Sequence, residues 1–260
     1  MTRLLVESAA LGYADELVCA DVSVSIPDGA FTVIVGPNAC GKSTLLKSLT
    51  RLLPPDSGRV LLDGRQLHGL PTKTVAREIG LLPQGPVAPD GIRVVDLVSR
   101  GRYPHQRLFA PWSPEDEAAV ADAMDRTGTR HLSGRLVDEL SGGQRQRVWM
   151  AVALAQQTPI LLLDEPTTYL DLSHQVELLE LCRSLNRRGE NTLVAVLHDL
   201  NQAARYADHI IAMKDGAVVA TGAPADVITE SLVDEVFGLD ARVILDPESA
   251  SPLVVPRWRH

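Results

Sequence analysis

Apolar and polar side chains alternate along the first thirty residues, most clearly at Val22-Ser23-Val24-Ser25-Ile26, before the turn at Asp28-Gly29. A period of two closed by turn residues predicts antiparallel strands with one buried face. Phe31 to Val35 is apolar without a break and runs into a glycine-rich turn, then a helical pattern from Ser43 to Leu49. A further strand, Arg59 to Leu62, ends at Asp63-Gly64. From about Gln84 to Leu140 the pattern changes. Gly85-Pro86 and Pro89-Asp90-Gly91 mark irregular chain, and Val94, Val95, Leu97 and Val98 follow on a helix. Ser113-Pro114-Glu115-Asp116 reads as a second helix start, with a capping serine, proline in the first turn and carboxylates near the positive helix end.

After Leu140, helices alternate with continuous apolar strands at Ile160 to Leu163 and Leu193 to Leu197. That alternation predicts a parallel sheet covered on both faces. Ile210 to Met213 and Ala217 to Ala220 flank Lys214-Asp215-Gly216 and predict a hairpin. Pro224 to Phe237, with Val227, Ile228, Leu232, Val236 and Phe237 apolar, predicts one short amphipathic helix, and Arg242 to Leu245 a last strand. This tail reads as packing. The expected fold is α/β, with a mixed-sheet core, an antiparallel β subdomain and a helical insertion at about residues 85–145. All of it is expected to form one domain over residues 1–260, with a short C-terminal extension at about 222–260.

Composition narrows the function. Apolar residues make up 45% and charged residues 22% of the chain, ordinary for a folded protein. A net charge of -8 excludes binding to nucleic acid through a general basic field. Apolar runs stop well short of the roughly 18–20 residues a spanning helix needs, and Glu7 interrupts the first apolar run, so no signal-peptide core is expected. Cys19, Cys40 and Cys182 are odd in number and widely spaced, as suits a reducing cytosol, and form no zinc or disulfide pattern. The expectation is a cytosolic chain whose membrane role, if any, comes through a partner.

Two motifs carry phosphate chemistry. Gly36-Pro37-Asn38-Ala39-Cys40-Gly41-Lys42-Ser43-Thr44 fits the phosphate-binding loop in full, and it lies between an apolar strand and a helix as that mechanism requires. Glycines let successive N–H groups point at phosphate oxygens. Lys42 can reach the outer phosphates, and the Ser43 hydroxyl can ligate Mg²⁺. Cys40 is read as a filler of the loop. Ile160 to Leu163 then delivers Asp164 and Glu165 to the end of a buried strand, where ligands of open α/β sheets bind. Asp164 is placed to hold Mg²⁺, directly or through water, and Glu165 to take the proton of an attacking water. A third motif, Leu140-Ser141-Gly142-Gly143-Gln144, has the S-x-x-Q spacing of a capping box on the helix carrying Val148, Val152 and Ala155. Its glycines leave the helix start open to an anion. One chain cannot easily use it for its own phosphate loop, which points to a second copy.

Those residues resemble the ATP-binding cassette family over nearly the whole chain. Leu140 to Gln144 matches the family signature without a substitution. The resemblance implies an ATPase whose cassettes pair head to tail as an ATP-bound homodimer, with Ser141, Gly142, Gly143 and Gln144 capping the terminal phosphate held by the other copy. It implies that Tyr13 stacks on adenine, that Gln84 senses Mg²⁺ and links to the helical subdomain, that Asp171 lies in the dimer-contact loop Thr168-Tyr169-Leu170-Asp171, and that His198 contacts the terminal phosphate and supports the attacking water. Three stretches, Arg100 to His105, Glu165 to Gln175 and Leu197 to Asp208, look like the cassettes of bacterial ferric-siderophore importers, with haem and cobalamin importers as relatives. Integral permease subunits, an extracytoplasmic binding protein and a place on the cytoplasmic face of the membrane are therefore expected. Arg100 to His105 is the expected docking surface for a permease helix. A cassette acting on nucleic acid or ribosomes, or an unrelated P-loop kinase or GTPase, fits less well: the chain holds one cassette, no long coiled-coil insert and no Asn-Lys-x-Asp motif.

Overall fold

The structure is a computed structural model that describes residues 2–14, 16–106, 111–168, 170–189 and 191–258. The chain divides into two compact units, Met1–Leu70 with Thr192–His260, and Pro71–Asn191.

The first unit opens with β1 (Thr2–Tyr13) and β2 (Glu16–Pro27), an antiparallel pair. Val22, Val24 and Ile26 are buried while Ser23 and Ser25 face out, so the period of two is realised residue by residue. β3 (Phe31–Val35) is buried along its whole length, and α1 (Lys42–Ser48) follows the phosphate loop. β4 (Ser57–Leu62) pairs with β1, and β5 (Arg65–Gln66) extends that sheet in the order β2-β1-β4-β5.

The second unit runs through α2 (Thr72–Glu78), β6 (Ile79–Leu82), α3 (Val94–Ser99), α4 (Pro114–Arg126), α5 (Gly142–Ala155), β7 (Ile160–Asp164) and α6 (Leu172–Arg187). β6 and β7 pair in parallel. Val94, Leu97 and Val98 of α3 pack with Val120, Met124 and Val148 in one apolar cluster. As expected, the Ser113 hydroxyl caps α4, accepting from the Asp116 N–H at 3.2 Å.

The same unit holds a buried ion pair. Arg102 donates from Nε to Asp116 at 2.9 Å and from Nη1 to the Ala155 carbonyl at 2.7 Å and Gln157 Oε1 at 2.8 Å. The guanidinium holds the Asp116 carboxyl below its ordinary range. Arg102 and His105, whose ring bonds the Gln156 carbonyl at 2.7 Å, therefore face inward, and Arg100 and Tyr103 are the exposed members of this stretch. Replacing Arg102 with Met would leave Asp116 as an unpaired buried carboxylate. The expected cost is about 3 kcal/mol or more, read as a lower urea midpoint at pH 7. Because the folded carboxyl is depressed, the penalty is full above the ordinary aspartate range and shrinks as pH falls below it.

The chain then returns to the first unit. β8 (Thr192–Val196) and β9 (His209–Lys214) flank β3 in parallel, separated in sequence by α7 (Leu200–Tyr206), and β10 (Ala217–Gly222) pairs antiparallel with β9. This is the expected mixed sheet. The hairpin turn has Asp215 at φ 47° and Gly216 at φ 77°, the doubly left-handed geometry that matches strand twist.

The tail differs from the single helix expected. It forms α8 (Pro224–Val227) and α9 (Glu230–Phe237), because Thr229 leaves helical geometry and caps α9, its hydroxyl accepting from the Leu232 N–H at 3.2 Å. β11 (Ala241–Leu245) is the expected strand, and β12 (Pro252–Pro256) pairs with it. β12 gives little signal in the sequence because prolines close both its ends, which only an edge position allows. Asn201 ties α7 to β12, donating to the Val254 carbonyl at 3.2 Å and accepting from the Val254 N–H at 2.7 Å.

Candidate active site

The phosphate loop leaves β3 at Gly36, whose φ is 156°; a Cβ there would sit 2.3 Å from the Met213 carbonyl oxygen. Gly41, at φ 100°, forms the N-cap of α1, and a Cβ there would lie 2.8 Å from Cys19 Sγ. Both positions require glycine for space and for backbone geometry. Lys42 is buried, and its ammonium donates to the Gly36 carbonyl at 2.9 Å and the Pro37 carbonyl at 2.7 Å. The loop therefore carries its positive charge inside its own curve. Ser43 and Thr44 enter the first turn of α1 beside it. Burial raises the thiol of Cys40, and that of Cys19 to about 11, so both stay protonated at neutral pH. That chemistry suits a loop filler rather than a nucleophile.

Two other expected residues belong to the same unit. Tyr13 ends β1 with its ring about half exposed, and the Lys47 ammonium of α1 lies 5.8 Å from the ring centroid. His198 follows β8, and Asp199 beside it caps α7 by accepting from the N–H groups of Asn201 and Gln202 at 2.8 and 2.9 Å. Gly36, Pro37, Asn38 and His198 line a cavity of about 550 Å³ together with Phe237, the last residue of α9. Phe237 is the lining residue that sequence reading missed; its only signal was an apolar side chain at the end of an amphipathic pattern.

The second unit holds the carboxylates and the signature segment. Asp164 is buried at the end of β7. Glu165 follows in the left-handed region at φ 51°, a conformation a glutamate adopts at a cost and keeps where its surroundings impose it. Gln84, just beyond the paired strand β6, donates from Nε2 to Glu165 Oε2 at 2.6 Å, and the Thr168 hydroxyl donates to the same oxygen at 3.1 Å. The Gln84 amide therefore orients the glutamate carboxylate.

Ser141 and Gln144 form the expected capping box on α5. The Ser141 hydroxyl accepts from the Gln144 N–H at 3.3 Å, and Gln144 Oε1 accepts from the Ser141 N–H at 3.2 Å. Gly143 passes so close to α6 that a Cβ would meet the His174 ring at 3.0 Å. Asp171 caps α6, accepting at one oxygen from the His174 N–H at 3.0 Å and the Ser173 hydroxyl at 2.9 Å, with the His174 ring at 2.6 Å. Those bonds pull the Asp171 carboxyl down to about 2, so it is a carboxylate throughout the physiological range. Gln146 of α5 donates to the Pro166 carbonyl at 2.8 Å. The signature helix, the turn carrying Glu165 and the cap of α6 are thus one bonded assembly. Tyr169 of the dimer-contact loop lies outside the described residues.

A further cavity in this unit, about 390 Å³, is lined by Val87, Pro89, Arg100, Tyr103, Pro104 and Trp149 among others. Among the described residues no helix is long and apolar enough to cross a membrane. None of their His, Cys, Asp or Glu side chains gathers in threes to cage a metal. The Ser43 hydroxyl of the first unit and the Asp164 carboxylate of the second are each hard oxygen donors of the kind Mg²⁺ takes, an ion that dehydrates reluctantly and draws many of its ligands from water and phosphate oxygens.

A family model described as ABC transporter matches residues 19–168. The chain is 54% identical over 259 residues to the ferric enterobactin transport ATP-binding protein of Escherichia coli K12, covering 100% of this chain and 96% of that one. It is 51% identical over 259 residues to the achromobactin transport ATP-binding protein of Dickeya dadantii, again covering 100% and 96%. Among solved structures it is similar to an inward-facing conformation of a transporter assigned to the metal-chelate ABC type, with TM-score 0.85, 29% identity and coverage of 100% and 99%. A dimeric ATP-binding cassette in a post-hydrolysis state, bound to ADP and Pi, matches with TM-score 0.74, 28% identity and coverage of 85% and 98%.

Proposed function

Because this chain belongs to the ABC transporter family, we propose that it is the ATP-hydrolysing subunit of an importer for ferric-siderophore complexes, driving a separate membrane permease. The observation that carries the hydrolytic part is Glu165, fixed by Gln84 and Thr168 directly after the buried Asp164. A carboxylate held at one oxygen in a strained turn is preorganised to accept a proton from water, the role of a general base. The iron reading is supported by identity of about half over the full chain to two siderophore transport subunits.

The roles divide as follows. Gly36 to Thr44 cradle the phosphates with backbone N–H groups, and Lys42 supplies charge to the outer ones. Tyr13 offers its exposed face to the adenine ring. Ser43 and Asp164 would hold Mg²⁺, with Gln84 near it; that ion, when bound, supplies charge neutralisation at the phosphate oxygens. Glu165 accepts the proton of the attacking water, and His198 supports that water and the terminal phosphate. Ser141 to Gln144 and Asp171 act on the nucleotide of a second copy in a head-to-tail homodimer, a reading supported by the dimeric cassette of this fold.

The cavity beside Tyr103 and Trp149 takes a helix of the permease, an integral membrane protein. The chain then works as one cassette of 260 residues on the cytoplasmic face of a bacterial membrane, receiving cargo through an extracytoplasmic binding protein and using no nucleic acid. The test is uptake in a strain lacking this chain. Radiolabelled iron presented as ferric siderophores is expected to stop entering, with recovery on adding back the wild-type chain. Intact siderophore uptake with loss of haem or cobalamin uptake instead would overturn the cargo assignment.

A further inference from the structure

His174 has no role in the chemistry above, yet the signature segment and the cap of α6 both meet its ring. From this geometry we infer that His174 is a positioning residue for ATP hydrolysis. Its ring, seated on Gly143, holds the Asp171 carboxylate in a fixed place relative to the signature segment, so that both reach the nucleotide of the second copy together. The inference rests on the reading of the chain as an ATPase that works as a head-to-tail homodimer.

The start of α6 sets the ring in place. Asp171 is the N-cap and His174 the third residue of the helix. A capping box would put a glutamate or glutamine there, to accept from the backbone N–H of the cap. The histidine instead turns its ring to the cap's carboxylate, with Nδ1 2.6 Å from Asp171 Oδ1. Asp171, held down at about 2, is a carboxylate that can only accept, so Nδ1 carries the hydrogen and donates. The same ring fills the space beside Gly143. A Cβ there would lie 3.0 Å from Cδ2, 3.2 Å from Cγ and 3.3 Å from Nε2, so the glycine meets the face of the ring. Further along, Arg147 of α5 donates to Glu177 of α6 at 2.9 Å, and Gln146 to the Pro166 carbonyl at 2.8 Å. These bonds hold α5 against the segment from Pro166 into α6 without help from His174. The ring therefore has a fixed seat, and its hydrogen bond turns that seat into a fixed orientation for Asp171. Removing the ring leaves the His174 N–H and the Ser173 hydroxyl on Asp171, at 3.0 and 2.9 Å, so the helix keeps its cap and only the carboxylate's orientation is released. None of these bonds is made by a residue of the phosphate loop, so nucleotide affinity is independent of the ring.

The experiment compares wild type, His174→Ala, His174→Asn and His174→Phe for steady-state ATPase kcat and KM, binding of a fluorescent ATP analogue, and thermal midpoint. His174→Ala is expected to lower kcat about tenfold, the scale of a modest positioning defect. Its analogue affinity should stay within about twofold of wild type, with the thermal midpoint unmoved. His174→Asn, whose amide N–H can take the place of Nδ1, is expected to recover most of the kcat. His174→Phe keeps a ring on Gly143 but donates nothing, and is expected to stay low. The defect should also act across the dimer. Mixing His174→Ala with Lys42→Ala joins one intact loop to one intact signature and Asp171, and should raise activity above either variant alone. A His174→Ala kcat equal to wild type overturns the inference. So does the reverse order, with Phe high and Asn low, or a loss of kcat together with a fall in thermal midpoint, since either marks a packing residue. No gain on mixing, where Ser141→Arg mixed with Lys42→Ala does recover, overturns it as well. If that control pair also stays inactive, the head-to-tail reading fails and the inference falls with it; if wild type does not hydrolyse ATP, the ATPase reading is what fails.

Discussion

Glu165→Gln is expected to keep ATP binding and lose steady-state hydrolysis by about 10²-fold or more, the usual scale for removing a general base. The substitution is close to isosteric, and the position already tolerates a left-handed backbone. A glutamine there can still accept, through its amide oxygen, the bonds that Gln84 and Thr168 now make at 2.6 and 3.1 Å. The turn and its link to the signature helix through Gln146 and Pro166 therefore survive. Only the proton-accepting capacity of the carboxylate is lost. Binding without hydrolysis should accumulate an ATP-bound dimer, seen as an ATP-dependent shift from monomer to dimer on size exclusion. Wild-type turnover in the variant would remove Glu165 from the mechanism.

Ser141→Arg is expected to abolish hydrolysis although it leaves the phosphate loop and both carboxylates of its own chain untouched. The guanidinium replaces the small hydroxyl that caps α5 and puts a cation at the positive end of a helix, where anions are favoured. The lost cap alone costs about 1 kcal/mol, too little to unfold the protein. The decisive measurement mixes Ser141→Arg with Lys42→Ala. Each alone should be inactive. A mixed dimer has one site with an intact loop facing an intact signature, so mixing should restore activity. Wild-type activity in Ser141→Arg alone, or no recovery on mixing, would rule out a site shared between copies.

The ease with which these residues are found differs for a physical reason. The phosphate loop is nine consecutive residues whose job is done by local backbone geometry, so Gly36, Gly41 and Lys42 can be recognised with no knowledge of the fold. The capping box of Ser141 and Gln144 spans a single helical turn and is equally local. Strand patterns at β2, β3 and β7 follow from burial on one or both faces. The tail shows the limit of such reading. Its apolar spacing is helical, yet a threonine cap at Thr229 splits the helix, since satisfying the Leu232 N–H outweighs a continuous stripe.

By itself, then, the sequence determined the α/β class, the phosphate loop, the strand-end carboxylates, the signature segment and, through these, the family. Tertiary structure alone decided which distant residues meet: Gln84 with Glu165, 81 positions apart; Arg102 with Asp116 in a buried pair; Phe237 at the cavity that His198 also lines. Those contacts depend on strand order and helix packing, which bring together positions that no local period relates. A backbone loop can be read from its own residues. A carboxylate's orientation, or the wall of a cavity, is fixed by neighbours that only folding supplies.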